Sequence, residues 1–409
     1  ALQQSALPDW LPEAVQKEAR TLSQRCAYSF ASMRPEAVRA LYGRTVPLSA
    51  SKIDRFAGCR YAFFLQYGLR AAPWKQAEFD APLFGSFVHD VLEHVVREAQ
   101  EQGGFAAMTD GEISALTERC MDNCMKTYLP QGQAAASRES YLSARNRQEA
   151  AAVVMDVARE LRLSQFAPAA EELRFAPGGP LPPIEYRAKT GSGLLTGQID
   201  RVDTYEADGR RYFRIIDYKT GHKDFDYAEL LYGKNLQMLL YLFALESYQR
   251  RAGTPMQPAG VLYVPGRCDM VKLKPGEDPA QADAERQKDL RRKGLLLNDE
   301  AVLRAMEAYE KKPQYLPFAP GPDGLIGDLA SPAQLAELER FVNGQVEAMI
   351  DEILSGATAP NPIDRGPSDS ECKYCDFSSA CHKDVCAVNA RRFASVTPEE
   401  FWQALERRL

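Results

Sequence analysis

Two short runs, Gly197-Gln198-Ile199-Asp200-Arg201-Val202-Asp203 and Arg214-Ile215-Ile216-Asp217-Tyr218-Lys219-Thr220-Gly221, constrain the fold more than any other part of the sequence. In both, apolar and β-branched residues alternate with polar ones and turn-forming residues follow, which predicts β-strands. Side chains alternate faces along a strand, so Asp217 and Lys219 point the same way as Phe213 and Ile215. Leu194, Thr196, Gln198 and Asp200 share a face on the preceding strand. Between the runs, Glu206 to Arg211 with Asp208-Gly209 predicts a hairpin turn that brings Asp200 beside Asp217. Two carboxylates and an amine at one place suit a hard divalent cation such as Mg²⁺, which takes oxygen ligands. The amine can then move a proton or balance charge on a phosphate oxygen, as metal-assisted phosphodiester hydrolysis requires. The competing reading is a solvated ion pair at an exposed strand end.

Two helices bear on that choice. Leu83 to Glu93 opens an amphipathic helix on which His89 and Glu93, four apart, reach a common point. Asn235 to Leu245 predicts a largely buried helix carrying Gln237 and Tyr241 at the same spacing. The order Gly-x-x-x-His-x-x-Leu-Glu, Gly-x-Ile-Asp-Arg-x-Asp, Ile-Asp-Tyr-Lys-Thr-Gly, Gln-x-x-x-Tyr resembles the RecB-like branch of the PD-(D/E)XK nuclease superfamily. The resemblance implies an α/β fold with a mixed central sheet flanked by helices. It implies a metal site of His89, Asp200 and Asp217 holding Mg²⁺ or Mn²⁺, with Lys219 in catalysis. Gln237 and Tyr241 would support that site and contact DNA, and Glu93 stands in a second tier.

The nine cysteines raise a separate question. Cys372, Cys375 and Cys381 form Cys-x2-Cys-x5-Cys, and three thiolates so close imply a metal. Cys59, Cys386 and His382 are candidates for a fourth ligand, and the spacing fits zinc as well as a [4Fe–4S] cluster. Cys120 and Cys124, at helical spacing, read as packing residues. A distant upstream cysteine followed, after the nuclease motifs, by Cys-x2-Cys-x5-Cys resembles the iron–sulfur form of RecB-like nucleases. That resemblance covers residues 48 to 386 and implies a [4Fe–4S] cluster on Cys59, Cys372, Cys375 and Cys381, joining the N- and C-terminal segments and leaving Cys386 a free thiol. Within the branch, the nuclease domains of AddB-type proteins, which belong to AddAB-type helicase–nucleases, are the most similar. They imply an exonuclease acting on DNA ends in double-strand break repair, with an AddA-type helicase–nuclease subunit as partner. The alternatives are a stand-alone iron–sulfur exonuclease of the CRISPR-associated type and a catalytically silent DNA-end-binding module. The sequence contains no Gly-x-x-x-x-Gly-Lys-[Ser/Thr] phosphate loop.

A formal net charge of −6 excludes a broad cationic surface, so DNA contacts must be local. Arg138 with Arg145 and Arg147, Arg291-Arg292-Lys293, and Arg391-Arg392 are candidate tracks, each also readable as a solvated face. No signal-peptide pattern opens the sequence, and Leu239 to Leu245 is far short of the ~20 apolar residues that span a bilayer, so a cytoplasmic protein is expected. The expected organisation is an N-terminal helical segment, 1–47, from the preceding region of a longer protein, and a nuclease domain, 48–390. Its catalytic core lies at about 83–265, a helical insertion at about 270–356 and the cysteine cluster at 372–381. A C-terminal helix, 391–409, follows.

Overall fold

The computed structural model describes residues 10, 12–26, 32–72, 81–128, 137–267, 287–322, 324–366, 370–381 and 388–407. Its architecture grows from one hairpin. Asp208 and Gly209 both have left-handed backbone (φ 51° and 71°), the pairing a two-residue type I′ turn requires. The flanking strands are β5 (Gly197–Ala207) and β6 (Arg210–Lys219), paired from Ala207↔Arg210 to Arg201↔Ile216. A 15-residue helix, Gln237–Arg251, crosses over to β7 (Gln257–Pro265), which runs parallel to β6. Buried on both faces, β7 carries the unbroken apolar run Val261 to Val264 expected of a central strand.

Beyond β7 lie β8 (Lys293–Leu297), antiparallel to it, and Leu329–Ala330, parallel to β8; on the other side β2 (Ala167–Phe175) pairs antiparallel with β5. The result is the expected mixed six-stranded sheet flanked by helices. Helix Ala81–Glu101 packs on β2 and β5, with Asp110–Tyr128 and Ser137–Leu163 against it. Helix Gln237–Arg251 packs on β6 and β7 and is covered by Pro332–Leu354. A smaller sheet of β1 (Thr45–Leu48), β4 (Ser192–Leu195) and β3 (Ile184–Arg187) leans on Pro332–Leu354. Among the described residues no helix is long and apolar enough to cross a membrane.

Strands appear where the sequence suggested otherwise. β2 occupies the first half of the stretch 167–183, whose Pro and Gly residues, most of them after Phe175, give it the composition of a connector. β8 and Leu329–Ala330 lie inside the segment read as a helical insertion, since a run as short as Gly294 to Leu297 carries no periodicity to separate strand from buried helix. The predicted C-terminal helix is Pro398–Glu406, capped by Thr397 and Glu400 in a capping box, while Arg391–Arg392 is a short strand beside Ile363–Asp364.

The arginine tracks also change meaning. Arg292 is fully buried, paired with Asp156 and with Glu160 at 2.9 Å. Glu160 also holds Arg214 (2.9 Å), which shares Asp203 with Arg201 (2.9 and 2.8 Å). These six groups, three guanidiniums and three carboxylates, form one neutral chain behind the sheet. Arg145 pairs with Glu149, and Arg147 with Glu118 and Asp122. Arg391 donates to the carbonyls of Ala57 and Asn361, fastening the C-terminal segment to the helix Ala50–Gly58. None of these is a free phosphate contact, and the side chain of Arg138 lies outside the described residues.

Candidate active site

Strand alternation puts Asp200 of β5 and Asp217 of β6 on the same face, one register step beyond Arg201↔Ile216. Asp217 is buried, with Lys219 Nζ 2.6 Å from its Oδ2 and Gln237 Nε2 3.5 Å from Oδ1. Burial, then the charge of Asp200, pushes the Asp217 carboxyl up to about 6 against the pull of Lys219. Asp200 Oδ2 accepts the Tyr218 N–H at 2.8 Å. His89 donates from Nε2 to the Tyr218 carbonyl (2.7 Å), and its Nδ1 stands 3.4 Å from Asp200 Oδ2. The carbonyl fixes the ring, so in the neutral tautomer the Nδ1 lone pair faces the acids, the outer hydrogen bond typical of a metal-ligating histidine. Burial opposes the imidazolium, but Asp200 and Asp217 outweigh it and raise His89 to about 9.

A residue absent from the sequence reading completes the site. Glu172 of β2 lies across from Asp200, between the pairs Glu171↔Arg201 and Leu173↔Ile199. Its φ of 49° is unusual for a glutamate, and such backbone is costly and collects at functional sites. Donor atoms of His89, Glu172 and Asp200 all come within 4.8 Å of one another. Burial, then Asp200 and Glu93, pushes Glu172 up to about 7. Three adjacent strands therefore present Glu172, Asp200 and Asp217 in a row, with more negative charge than His89 and Lys219 balance. Such a row suits a hard divalent cation. Glu93 is turned aside into an ion pair with Arg97 at 2.8 Å. The signal for Glu172 was the alternation in Glu171-Glu172-Leu173-Arg174-Phe175, obscured by the glycines and prolines that follow.

Glycines explain two of the motif spacings. A Cβ at Gly197 would lie 1.9 Å from the Tyr241 hydroxyl, so glycine there admits the ring. Tyr241 is buried, stacks on Phe175 and takes a hydrogen bond from the Gln198 backbone. It therefore holds the start of β5, and its burial leaves it no surface for DNA. At Gly85 a Cβ would come 3.2 Å from Thr220 Oγ1, so the His89 helix reaches the end of β6.

Residues 47–382 match the PD-(D/E)XK nuclease superfamily. The chain belongs to the PD-(D/E)XK nucleases. Among curated relatives, the B-type subunit of an ATP-dependent helicase/deoxyribonuclease from Acetivibrio thermocellus is 31% identical over 91% of this chain and 34% of its own length. Proteins of the same name from Moorella thermoacetica (30%; 91% and 33%) and Clostridioides difficile (28%; 85% and 31%) are also similar. The chain spans about a third of the length of these relatives.

At the edge of the nuclease fold, Cys59, Cys372, Cys375 and Cys381 line one cavity walled by Tyr61, Ala62, Pro360, Pro362 and Phe377. Tyr61, Ala62, Leu65 and Phe377 form a small apolar cluster of their own there. Four thiols lining one pocket with apolar walls fit, in number and type, a group that takes four thiolates, zinc or an iron–sulfur cluster. Cys120 and Cys124 are buried packing residues, Cys120 against Glu98; Cys386 and His382 lie outside the described residues.

Proposed function

We propose that the chain is the nuclease part of a DNA-end-processing helicase–nuclease, a metal-dependent deoxyribonuclease paired with an AddA-type helicase protein. One observation carries the reading: carboxylates from three adjacent strands and the free face of His89 converge beside Lys219. His89 Nδ1, Glu172, Asp200 and Asp217 would hold Mg²⁺ or Mn²⁺. A bound cation would polarise the phosphodiester and stabilise the charge that gathers on phosphorus oxygens. Gln237 orients Asp217, and the Tyr218 backbone orients both Asp200 and His89. Lys219, partly exposed at the mouth, places an ammonium where a phosphate oxygen or a departing alkoxide arrives. In the hydrolysis, water adds to phosphorus, one ester P–O bond breaks, and the leaving oxygen takes up a proton. The names of the relatives support a deoxyribonuclease and an ATP-dependent helicase partner; action on DNA ends, repair of double-strand breaks and a cytoplasmic setting belong to the same reading and rest on the resemblance of the motifs.

The cysteine pocket is read as the seat of a [4Fe–4S] cluster on Cys59, Cys372, Cys375 and Cys381, with a structural role. It would tie the helix Ala50–Gly58 to the segment that follows the last sheet strand.

Incubating linear DNA with the chain in Mg²⁺, Mn²⁺ or EDTA tests the first reading. Cleavage with either metal and none in EDTA is expected; no cleavage in any of them rejects it. Visible absorption of anaerobically prepared protein, with iron and zinc measured on the same sample, tests the second. About four irons per chain is the expected result, and stoichiometric zinc without iron overturns it.

A further inference from the structure

A groove of about 450 Å³ opens at the C-terminal ends of β6 and β7, next to Lys219. Its cations are Lys219, Lys223, Arg267, Lys288, Arg291 and Lys293, with Asp289 as the one carboxylate in its lining. Two are fixed by neutral partners and form no ion pair with an acid among the described residues. Arg291 donates to the carbonyls of Leu316 (2.9 Å) and Phe318 (2.7 Å), and Lys223 is held by the Asn235 side chain over the ring of Tyr263. Arg267 and Lys293 meet acids at its rim, Glu149 at 3.3 Å and Asp224 at 3.2 Å. Lys288 is exposed. On the other side of the site the charge reverses, since Glu172 stands against Asp200 and Glu93 adds to the negative charge there. A polyanion is therefore drawn to one flank and repelled from the other.

We infer that this groove is the track for the phosphates of the strand being cut, on one side of the scissile bond only. The inference rests on the nuclease reading and adds to it where the strand lies. The lining is dominated by ammonium and guanidinium groups; Tyr263 is buried beneath Lys223, and the single open ring is the His222 imidazole, paired with Asp224. The contact is therefore to backbone phosphates and independent of base sequence.

The test uses the full 409-residue chain with Lys288→Ala, Lys293→Ala and the double variant. Both lysines are at the surface, so thermal stability checks only that the fold is intact. Binding of a single-stranded 20-mer is followed in EDTA against salt, and cleavage kinetics are measured separately in Mg²⁺ or Mn²⁺. The double variant should lower the slope of log K against log salt by roughly 1.4, about 0.7 per lost phosphate contact. KM should rise about tenfold, some 1.4 kcal/mol, with kcat little changed. Neutral methylphosphonates placed singly along the strand should weaken binding at positions on one side of the cut. An unchanged salt slope and KM, or interference on both sides, overturns the track. If wild type shows the slope but cuts nothing with either metal, the nuclease reading fails while the track stands.

Discussion

The two faces of β5 and β6 carry charge in opposite ways. Behind the sheet, Arg201, Arg214 and Arg292 interleave with Asp203, Glu160 and Asp156, and every carboxylate meets a guanidinium. Burial alone would raise the Glu160 carboxyl, yet Arg292 and Arg214 hold it down at about 2. In front, Glu172, Asp200 and Asp217 outnumber their cations, and Asp217 and Glu172 are pushed up instead. The rear network balances its own charge, though Arg214 Nη1 has no hydrogen-bond partner among the described residues, whereas the front row carries an excess of negative charge. Tyr218 joins the two, its hydroxyl accepting from Arg201 Nη1 (2.7 Å) while its backbone holds Asp200 and His89. The rigid face thus sets the geometry of the reactive one.

The largest effect that would break this contrast is on rate. Asp217→Asn keeps the shape and removes one charge from the row. It should lower cleavage by about three orders of magnitude or more while leaving the melting temperature level or higher. Near-normal cleavage would show that the row is not the reaction centre. Next comes stability: Glu160→Ala leaves Arg214 and Arg292 buried without their shared partner and should cost about 3–5 kcal/mol in denaturant unfolding. A cost below about 1 kcal/mol would mean that the rear network is not the framework described here.

A smaller effect belongs to His89→Ala, which removes a neutral donor from the row but leaves its carboxylates. Apparent metal affinity for cleavage should fall about 10- to 100-fold, and a metal titration identical to wild type would remove His89 from the site. The smallest is a slope. Glu171, cross-strand from Arg201, is driven by burial up to about 9 from its usual 4.5, and neither carboxylate oxygen has a hydrogen-bond partner among the described residues. The folded state keeps a proton that the unfolded chain releases between those values. Its contribution is therefore intact below about pH 4.5 and declines as pH rises towards 9, by up to about 1.4 kcal/mol per pH unit. Glu171→Gln should flatten that decline in unfolding curves taken across this range; parallel curves would place Glu171 outside the acid field.

The hairpin, the partnership of Asp200 with Asp217 and the approach of His89 were legible because each depends on local rules: Asp208-Gly209 turn chemistry, period two on a strand, helical spacing. Glu172 was not, because its place depends on β2 pairing with β5 across more than twenty residues, and Pro and Gly masked the strand. Arg292 looked like a surface cation because its neighbours Arg291 and Lys293 are charged. Only tertiary structure shows that alternation at the entry to β8 turns it inward to Asp156 and Glu160. Tyr241 was visible as a motif residue, but not its burial against Gly197, a contact between elements distant in sequence.

That last contact has an evolutionary consequence. With a Cβ at position 197 destined to land 1.9 Å from the Tyr241 hydroxyl and 2.5 Å from the ring carbon bearing it, a phenylalanine at 241 relieves only half of the conflict. The two positions are therefore one inherited character: a lineage cannot acquire a side chain at 197 until 241 has first become smaller. That intermediate must survive with the start of β5, and hence Asp200, less firmly held, so drift at either position should be rare and ordered, with 241 changing before 197.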